Sequence, residues 1–594
     1  MESEIRKRIS ALREVMRKEG ISAFIVPTTD PHSSEYVAPH WEARKWLTGF
    51  TGSAGTAVIT LHAAGLWTDS RYFLQATSQL RGSNITLFKE KIPGIPTPAE
   101  WLSNVLKAGD TIGLDGWVNQ CSLKEEIEHE CKTKGITLKV IPDPFDAIWE
   151  NRPAIPTDPV VLHDLRYTGR STREKIAQIL QAIHENRCDS ILLSALDDIA
   201  WTLNLRGNDV HCNPVFISYL YISDSKTVLY INKVKLTPDV LAYLTTNEIE
   251  IKPYESVKED LKNAEGILQI APNLNLALTL TAVHACREVE RITPPTGVFK
   301  TVKNAVEIEG FHNAMRKDGV AMVKFLIWLE EAMQKGRETE YSVDSTLTAF
   351  RAEQADFKGI SFDTIAGYGA HGAIVHYEPT AETDIPLEPR GFLLLDSGAQ
   401  YLDGTTDITR TIPLGPLTDE EKRDYTLVLK GHLQIQNAVF PEGTCGTQLD
   451  FLARLPMCKD GINYLHGTGH GVGAYLCVHE GPHQLRMNYM PTVLQAGMTL
   501  TDEPGIYKPN RHGVRIENTL LIVPAMETEF GKFLQFEPLT LCPISKEPIL
   551  VEMLTDEELT WLNNYHAMVY KKLFLSLDAE ERTWLKEATS PLTR

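Results

Sequence analysis

No apolar run in this sequence approaches the ~18–20 residues that span a bilayer, so no membrane-crossing helix is expected. The N-terminus, MESEIRKRISALREVMRKEG, has no apolar core of a secretory signal. Its acids Glu2, Glu4, Glu14 and Glu19 argue against a transit peptide, which leaves a cytoplasmic location as the expectation. Cysteine is scarce: the nine are scattered, odd in number and never in a CxxC pair. That excludes a disulfide framework and a thiolate zinc site, and a reducing compartment is the simplest setting. Positive charge is outweighed, 59 Lys and Arg against 78 Asp and Glu, for a net charge of −19. Nucleic acid is therefore not an expected partner, because phosphate binding needs clustered Lys and Arg. The acidity reads as solubility.

What is present is length and alternation. At 594 residues the chain exceeds a single core, which rarely grows past ~250–300 residues. The opening segment reads as an amphipathic helix with Ile5, Ile9, Leu12 and Val15 on one stripe and Gly20 as its stop. An apolar strand, Ala23–Pro27, follows, then EARKWLTGFTGS and GTAVIT. The same plan recurs: a helix near 171–187 opened by Ser171 and Glu174 in capping-box spacing, the strand Ser190–Ser194, LDDIAWTLNLRG, then VFISYLYI and KTVLYIN. The offset is about 155–167 residues, and such alternation predicts α/β layers. NRPAIPTDP (151–159) separates the copies, and a second Pro/Gly junction lies near 291–302. A long helix, DGVAMVKFLIWLEEAMQKG, ends at Gly336, and the tail from about 543 reads as helical and amphipathic.

The chemistry is concentrated between these two helical regions. GFLLLDSGAQYLDGTTDITRTIPLG reads as a β-hairpin with Asp396 and Asp407 on its arms. Direct opposition of the two would need a bulge, and strand-end aspartates also cap turns. YLHGTGHGVGAYLCVHEGP carries His466, His470 and His479, with glycines around His470 that allow close approach. It is not a dinucleotide fingerprint, because no strand–turn–helix unit or downstream ribose acid accompanies it. GMTLTDEPGIYKPNRHGVRIENTLLIV reads as a second hairpin, turning at PNRHG. Glu503 ends its first arm, and Glu517 lies in its second arm within an apolar run. A glutamate so placed is rarely buried unless paired or ligating.

Together these elements offer two Asp, two Glu and one His. Four converging carboxylates repel, and several would have to protonate. Two divalent ions balance them. An oxygen-rich set with one imidazole and no thiolate suits Mn²⁺, Co²⁺ or Fe²⁺, with Zn²⁺ compatible. Such a pair performs hydrolytic chemistry.

The motifs LLDSGAQYLDGTTDITRT, HGTGHGVG, VHEGP, TDEPGIY and VRIENT, in this order, resemble the aminopeptidase P (Xaa-Pro aminopeptidase) group of the creatinase/prolidase/methionine aminopeptidase superfamily. The resemblance covers essentially the whole chain. SEYVAP, GFTGSAGTAVIT and WTDSRYFLQA extend it to the long, three-domain form. It implies an α/β and α+β fold: two creatinase-like α/β domains (1–155 and 156–300), then a pita-bread metallopeptidase domain (301–594) whose C-terminal helical extension begins at about 543. By motif, the metal ligands would be Asp396, Asp407, His470, Glu503 and Glu517, with Glu517 bridging two ions, Mn²⁺ expected. His376, in IVHY, would line the proline-side pocket, and His466 and His479 would contact substrate and stabilise the oxyanion. Tyr507 and Arg515 would assist proton transfer, with Glu503 as base, and Glu35 and Arg71 would reach substrate from the N-terminal domain.

The implied activity is removal of one N-terminal residue from peptides with proline second, by a hydroxide bridging the two metals. Because an X–Pro amide has no N–H, a dedicated proline pocket is required. A homodimer is also implied. The same five ligands would serve a prolidase acting on Xaa-Pro dipeptides, and the tandem N-terminal domains favour the aminopeptidase. A non-enzymatic peptide-binding or histone-binding module would be expected to have lost ligands. Creatine-type amidinohydrolysis is disfavoured by length and by the full acidic set.

Overall fold

The opening helix, Glu2–Glu19, buries Ile5, Ile9, Leu12 and Met16 at i, i+4, i+7 and i+11. Met16, not Val15, completes the stripe, because successive spacings of three and four keep one face inward. This computed structural model describes residues 2–594, without the side chains of Glu2 and Ser3. It divides into two units: Met1–His163 with Arg170–Thr296, and Asp164–Gly169 with Gly297–Arg594.

The first unit holds two six-stranded sheets built to one plan. In the first, Ala23–Pro27 lies between Thr56–Thr60, antiparallel, and Thr111–Asp115, parallel. In the second, Ser190–Leu193 lies between Tyr219–Ser223, antiparallel, and Ile267–Ile270, parallel. Counting strands within each sheet, both run in the order fourth, third, second, first, fifth, sixth. Phe24 and Val26 face the opening helix in one cluster, while Ala23 and Ile25 face Leu102 and Ile127 in another. Strand alternation thus gives each face of this mixed sheet its own apolar cluster. The expected capping box stands: Ser171 accepts from the Glu174 N–H, and the Glu174 carboxylate returns the bond to the Ser171 N–H.

In the second unit the long helix starts earlier than the sequence expectation, running Ala305–Lys335. Asn304 and Glu307 form its capping box, and Gly336 closes it in the left-handed region at φ 64°. The Met322, Phe325, Leu326 and Leu329 side of this helix packs on Leu393, Leu395 and Ile408. The tail departs from expectation. Its first helix begins only at Asp556, behind the Thr555 cap, and 543–555 carries a single 3-10 turn, Val551–Met553. Among the described residues, no helix is long and apolar enough to cross a membrane.

Candidate metal centre

Two antiparallel hairpins carry the four candidate carboxylates, and pairing between their arms lapses at Asp407, Glu503 and Glu517, while Asp396 stays within its ladder. In the first, Asp396 pairs Thr409 and Ser397 pairs Ile408, and pairing resumes at Gln400 with Thr405. The register is the same on both sides of the gap, so no bulge forms. Asp407 stands opposite Gly398, not opposite Asp396. A Cβ at 398 would collide with the Thr406 carbonyl oxygen, which is why that position is glycine. In the second hairpin, Asp502 pairs Asn518 and Gly505 pairs Arg515, again in one register. Glu503 and Glu517 therefore oppose each other in its gap.

The hairpins are joined edge to edge. The Glu517 N–H donates to the Thr409 carbonyl at 3.1 Å. The Thr409 hydroxyl donates to Glu517 Oε2 at 2.7 Å. The glycine-rich segment packs against the same strands: the Glu503 N–H donates to the Thr468 carbonyl at 2.8 Å, and the His470 N–H to Thr501 Oγ1 at 3.0 Å. A side chain at Gly469 would strike the Thr501 carbonyl, so this approach needs glycine.

His470 Nδ1 lies 2.9 Å from the Gly471 carbonyl oxygen, so that nitrogen carries the proton. Nε2 keeps its lone pair and lies 3.5 Å from both Asp407 Oδ2 and Glu503 Oε1. A backbone acceptor fixing the imidazole tautomer is the usual support for a metal-binding histidine. Asp407, His470 and Glu517 each offer one ligand atom, all within 4.8 Å of one another. Asp396 and Glu503 complete the charge. Asp396 is buried, its Oδ2 accepts from Arg515 Nη2 at 2.6 Å, and its Oδ1 has no hydrogen-bond partner among the described residues.

Electrostatics fits cations in this centre. Burial first, then Asp396 and Glu503, push the Asp407 carboxyl well above its ordinary range. Burial, then Asp407, Asp396 and Glu503, do the same to Glu517. Burial, opposed by Arg515 and reinforced by Asp396, lifts Glu503 to about 7. The cluster holds protons unless positive charge replaces them. An orphaned buried oxygen, a preset imidazole lone pair and an excess of carboxylate are together a donor set for hard divalent ions.

A hydrogen-bond chain leads away from the ligands. Arg515 Nη1 donates to Tyr507 Oη at 2.8 Å, and Tyr507 Oη shares a hydrogen bond with His466 Nε2, also at 2.8 Å. His466 Nδ1 donates to the Gly467 carbonyl at 2.7 Å. His479 stands edge-on to His470, ring centroids 4.3 Å apart. His376 is half-buried beside Val375, whose carbonyl accepts from Arg515 Nη2 at 3.3 Å. Glu35 and Arg71 belong to the first unit, where they lie 3.4 Å apart and Asp69 takes the Arg71 guanidinium in two bonds.

Two supporting residues escape sequence reading. Thr409 grips the Glu517 carboxylate. Arg410, fully buried, donates to the Glu517 carbonyl at 2.6 Å and to the Asn518 side chain at 2.9 Å. Only the alternating threonines of TTDITRT hint at the first, and nothing local hints at the second.

Residues 8–147 and 151–307 each match the Creatinase/Prolidase N-terminal domain. Residues 309–524 match Metallopeptidase family M24, and 532–592 match the C-terminal region of peptidase M24. The chain is 38% identical to a protein of Aspergillus niger named Probable Xaa-Pro aminopeptidase P, with 99% of each covered. It is 39% identical to Aminopeptidase P2 of Arabidopsis thaliana, covering 99% of this chain and 89% of that protein. An X-prolyl aminopeptidase crystal structure from Caenorhabditis elegans, described as a cytosolic enzyme with a di-nuclear active site, superposes at a TM-score of 0.95. Its identity is 34%, over 99% of this chain and 100% of that one. An Xaa-Pro dipeptidase from Bacillus anthracis superposes at 0.52 and 26% identity over 63% of this chain and 99% of that one.

Proposed function

Since the chain belongs to the Xaa-Pro aminopeptidase P family, we propose that it is a two-metal aminopeptidase removing the N-terminal residue from peptides whose second residue is proline. One observation carries the reading: the carboxylates of Asp407, Glu503 and Glu517, from two hairpins, gather around the Nε2 lone pair of His470, with the Asp396 charge acting on all three.

Asp396, Asp407, His470, Glu503 and Glu517 would hold the ions, and the donor types suit Mn²⁺, our expectation, as well as Co²⁺ and Fe²⁺, with Zn²⁺ compatible. When bound, the pair supplies Lewis acidity and a nucleophilic water oxygen at neutral pH. The chain's own groups do the rest. Glu503, the ligand left 17% exposed, is placed to take a proton from water and return it to the leaving nitrogen. His479, edge-on to His470, contacts the carbonyl oxygen as charge develops there. His466, oriented by Tyr507 and the Gly467 carbonyl, contacts the substrate. Arg515 fixes Asp396 and Tyr507 together, and burial keeps the Tyr507 phenol protonated. His376 borders the proline. Glu35 and Arg71 remain our reading for substrate-binding positions of the N-terminal domain.

A three-domain layout (1–155, 156–300 and 301–594) agrees with the duplicated sheet plan. A cytoplasmic location is supported by the C. elegans relative's description as cytosolic. A homodimer is supported by an apolar row: Phe451 and Leu455 are exposed on the helix Gly446–Cys458, as are Met487 and Tyr489. Thr447, one turn before Phe451, bonds the Asn488 carbonyl and the Met490 N–H, so these side chains share one face. Sedimentation of Phe451→Asp should give half the wild-type mass.

The deciding experiment restores metal-stripped protein with Mn²⁺ on Xaa-Pro-Yaa tripeptides, Xaa-Pro dipeptides and proline-free peptides. Loss of residue one from the tripeptides, abolished by EDTA, is expected. Cleavage of dipeptides only would make the chain a dipeptidase, and no cleavage would remove the enzymatic reading.

A further inference from the structure

We propose that Glu340 is a positioning residue for the proline-side pocket, holding the segment 368–377 and with it His376. The proposal rests on the aminopeptidase reading and names a residue that the five ligands and their neighbours do not include.

Glu340 is the first residue of the helix Glu340–Ala352, and its side chain is 0% exposed. Its carboxylate collects donors from three points on one segment. The Tyr368 N–H donates to Oε1 at 2.7 Å. His371 Nδ1 lies 2.9 and 3.0 Å from the two oxygens, so this nitrogen carries the proton. The Tyr377 hydroxyl donates to Oε2 at 2.8 Å. The His371 and Tyr377 rings also meet, centroids 4.4 Å apart. Burial raises the Tyr377 phenol, so it remains a donor.

A second pin holds the same segment from the metal side. Arg515 Nη2, bonded to Asp396 Oδ2 at 2.6 Å, also reaches the Val375 carbonyl at 3.3 Å. His376 thus sits between a residue tied to a candidate ligand and a residue tied to Glu340. A buried carboxylate is an expensive fastener: apolar residues fill space more cheaply, and ionised groups need every oxygen satisfied. Its usefulness is directional. Charge-assisted bonds are short and geometrically strict, and a misplaced side chain that binds ground state and transition state alike shows as a raised KM with little change in kcat.

Glu340→Gln keeps the size and one acceptor oxygen, and removes the charge. Hydrogen exchange should quicken in peptides covering 366–377 by about tenfold or more, with melting temperature and bound Mn²⁺ near wild type. KM for an Xaa-Pro-Yaa tripeptide should rise about tenfold with kcat within about twofold. In a His376→Ala background the same substitution should leave KM unchanged, because its effect runs through that ring. Tyr377→Phe gives the milder version if Glu340→Gln folds poorly. Unaltered exchange in 366–377, or a KM effect that adds fully to that of His376→Ala, would overturn the proposal. Absence of wild-type turnover would instead sink the aminopeptidase reading, and the exchange arm would still decide whether Glu340 holds the segment.

Discussion

Glu503 and Glu517 face each other across the gap of one hairpin whose register is identical on either side. Two acids in such a position are repulsive in water and worse when buried. Their placement has measurable consequences before any substrate is added.

Without metal, the cluster stores repulsion. Asp407→Asn in EDTA at pH 8 should raise the stability against urea, because it removes an acid that the metal-free fold resists ionising. The sign follows from the raised carboxyl: the folded state resists losing that proton, so stability falls as pH climbs past the unfolded pKa. The same variant should lose turnover and most of the melting-temperature gain from Mn²⁺. A less stable metal-free variant would contradict the repulsion.

Thr409 should matter to metal affinity more than to folding. Thr409→Val removes the hydroxyl that holds Glu517 Oε2 at 2.7 Å and keeps the shape. Loss of such outer support costs about 10–100-fold in metal affinity, which Mn²⁺ titration of the stripped protein would read. Unchanged affinity would reduce Thr409 to a packing residue.

His479→Ala should lower kcat more than it raises KM, because its contact is expected to strengthen as charge develops on the carbonyl oxygen. Steady-state kinetics on one tripeptide suffices. A pure KM effect would move His479 to a binding role.

The tail contributes an acid-sensitive joint. His566 is fully buried, its Nε2 accepts the Ile544 N–H at 3.1 Å, and burial, then Lys546 and Arg410, lower its pKa to about 3. A histidine held neutral contributes stability that is complete above pH 6.5 and is lost as pH falls towards 3, because only the unfolded chain takes the proton. Between pH 7 and pH 5 that loss is about 2 kcal/mol. Urea unfolding at both pH values should show His566→Asn losing less than wild type by that amount. Equal losses would mean that the ring is charged in the fold.

Much of this architecture is legible locally. The strand Ala23–Pro27 and the capping pair Ser171 and Glu174 follow from neighbours two to four residues apart. Glu517 stands out as a lone acid among aliphatic residues, and the structure places it within 4.8 Å of Asp407 and His470 donors. The start of the long helix was also readable, since Asn304 and Glu307 spell a cap in the spacing that marks Ser171. Register was harder. Opposing Asp396 and Asp407 looked to need a bulge, yet an unbroken register with Gly398 facing Asp407 brings the acids to one place, because the ladder simply stops there. Arg410 and Glu340 were beyond reach in principle. Arg410 meets Glu517 from 107 residues away, and Glu340 meets Tyr377 from 37 away, so no local pattern encodes either.

The interrupted ladders have a mechanical side. Strands elsewhere in this unit pair arm to arm, but Gly398 and Asp407, and Glu503 and Glu517, do not pair with each other, and the Glu503 and Glu517 N–H groups go to Thr468 and Thr409 instead. Cations bound there would act as rivets through four strands, fastening the sheets where the seam is open. Metal loss and loosening of the contact between the hairpin arms would then be a single event.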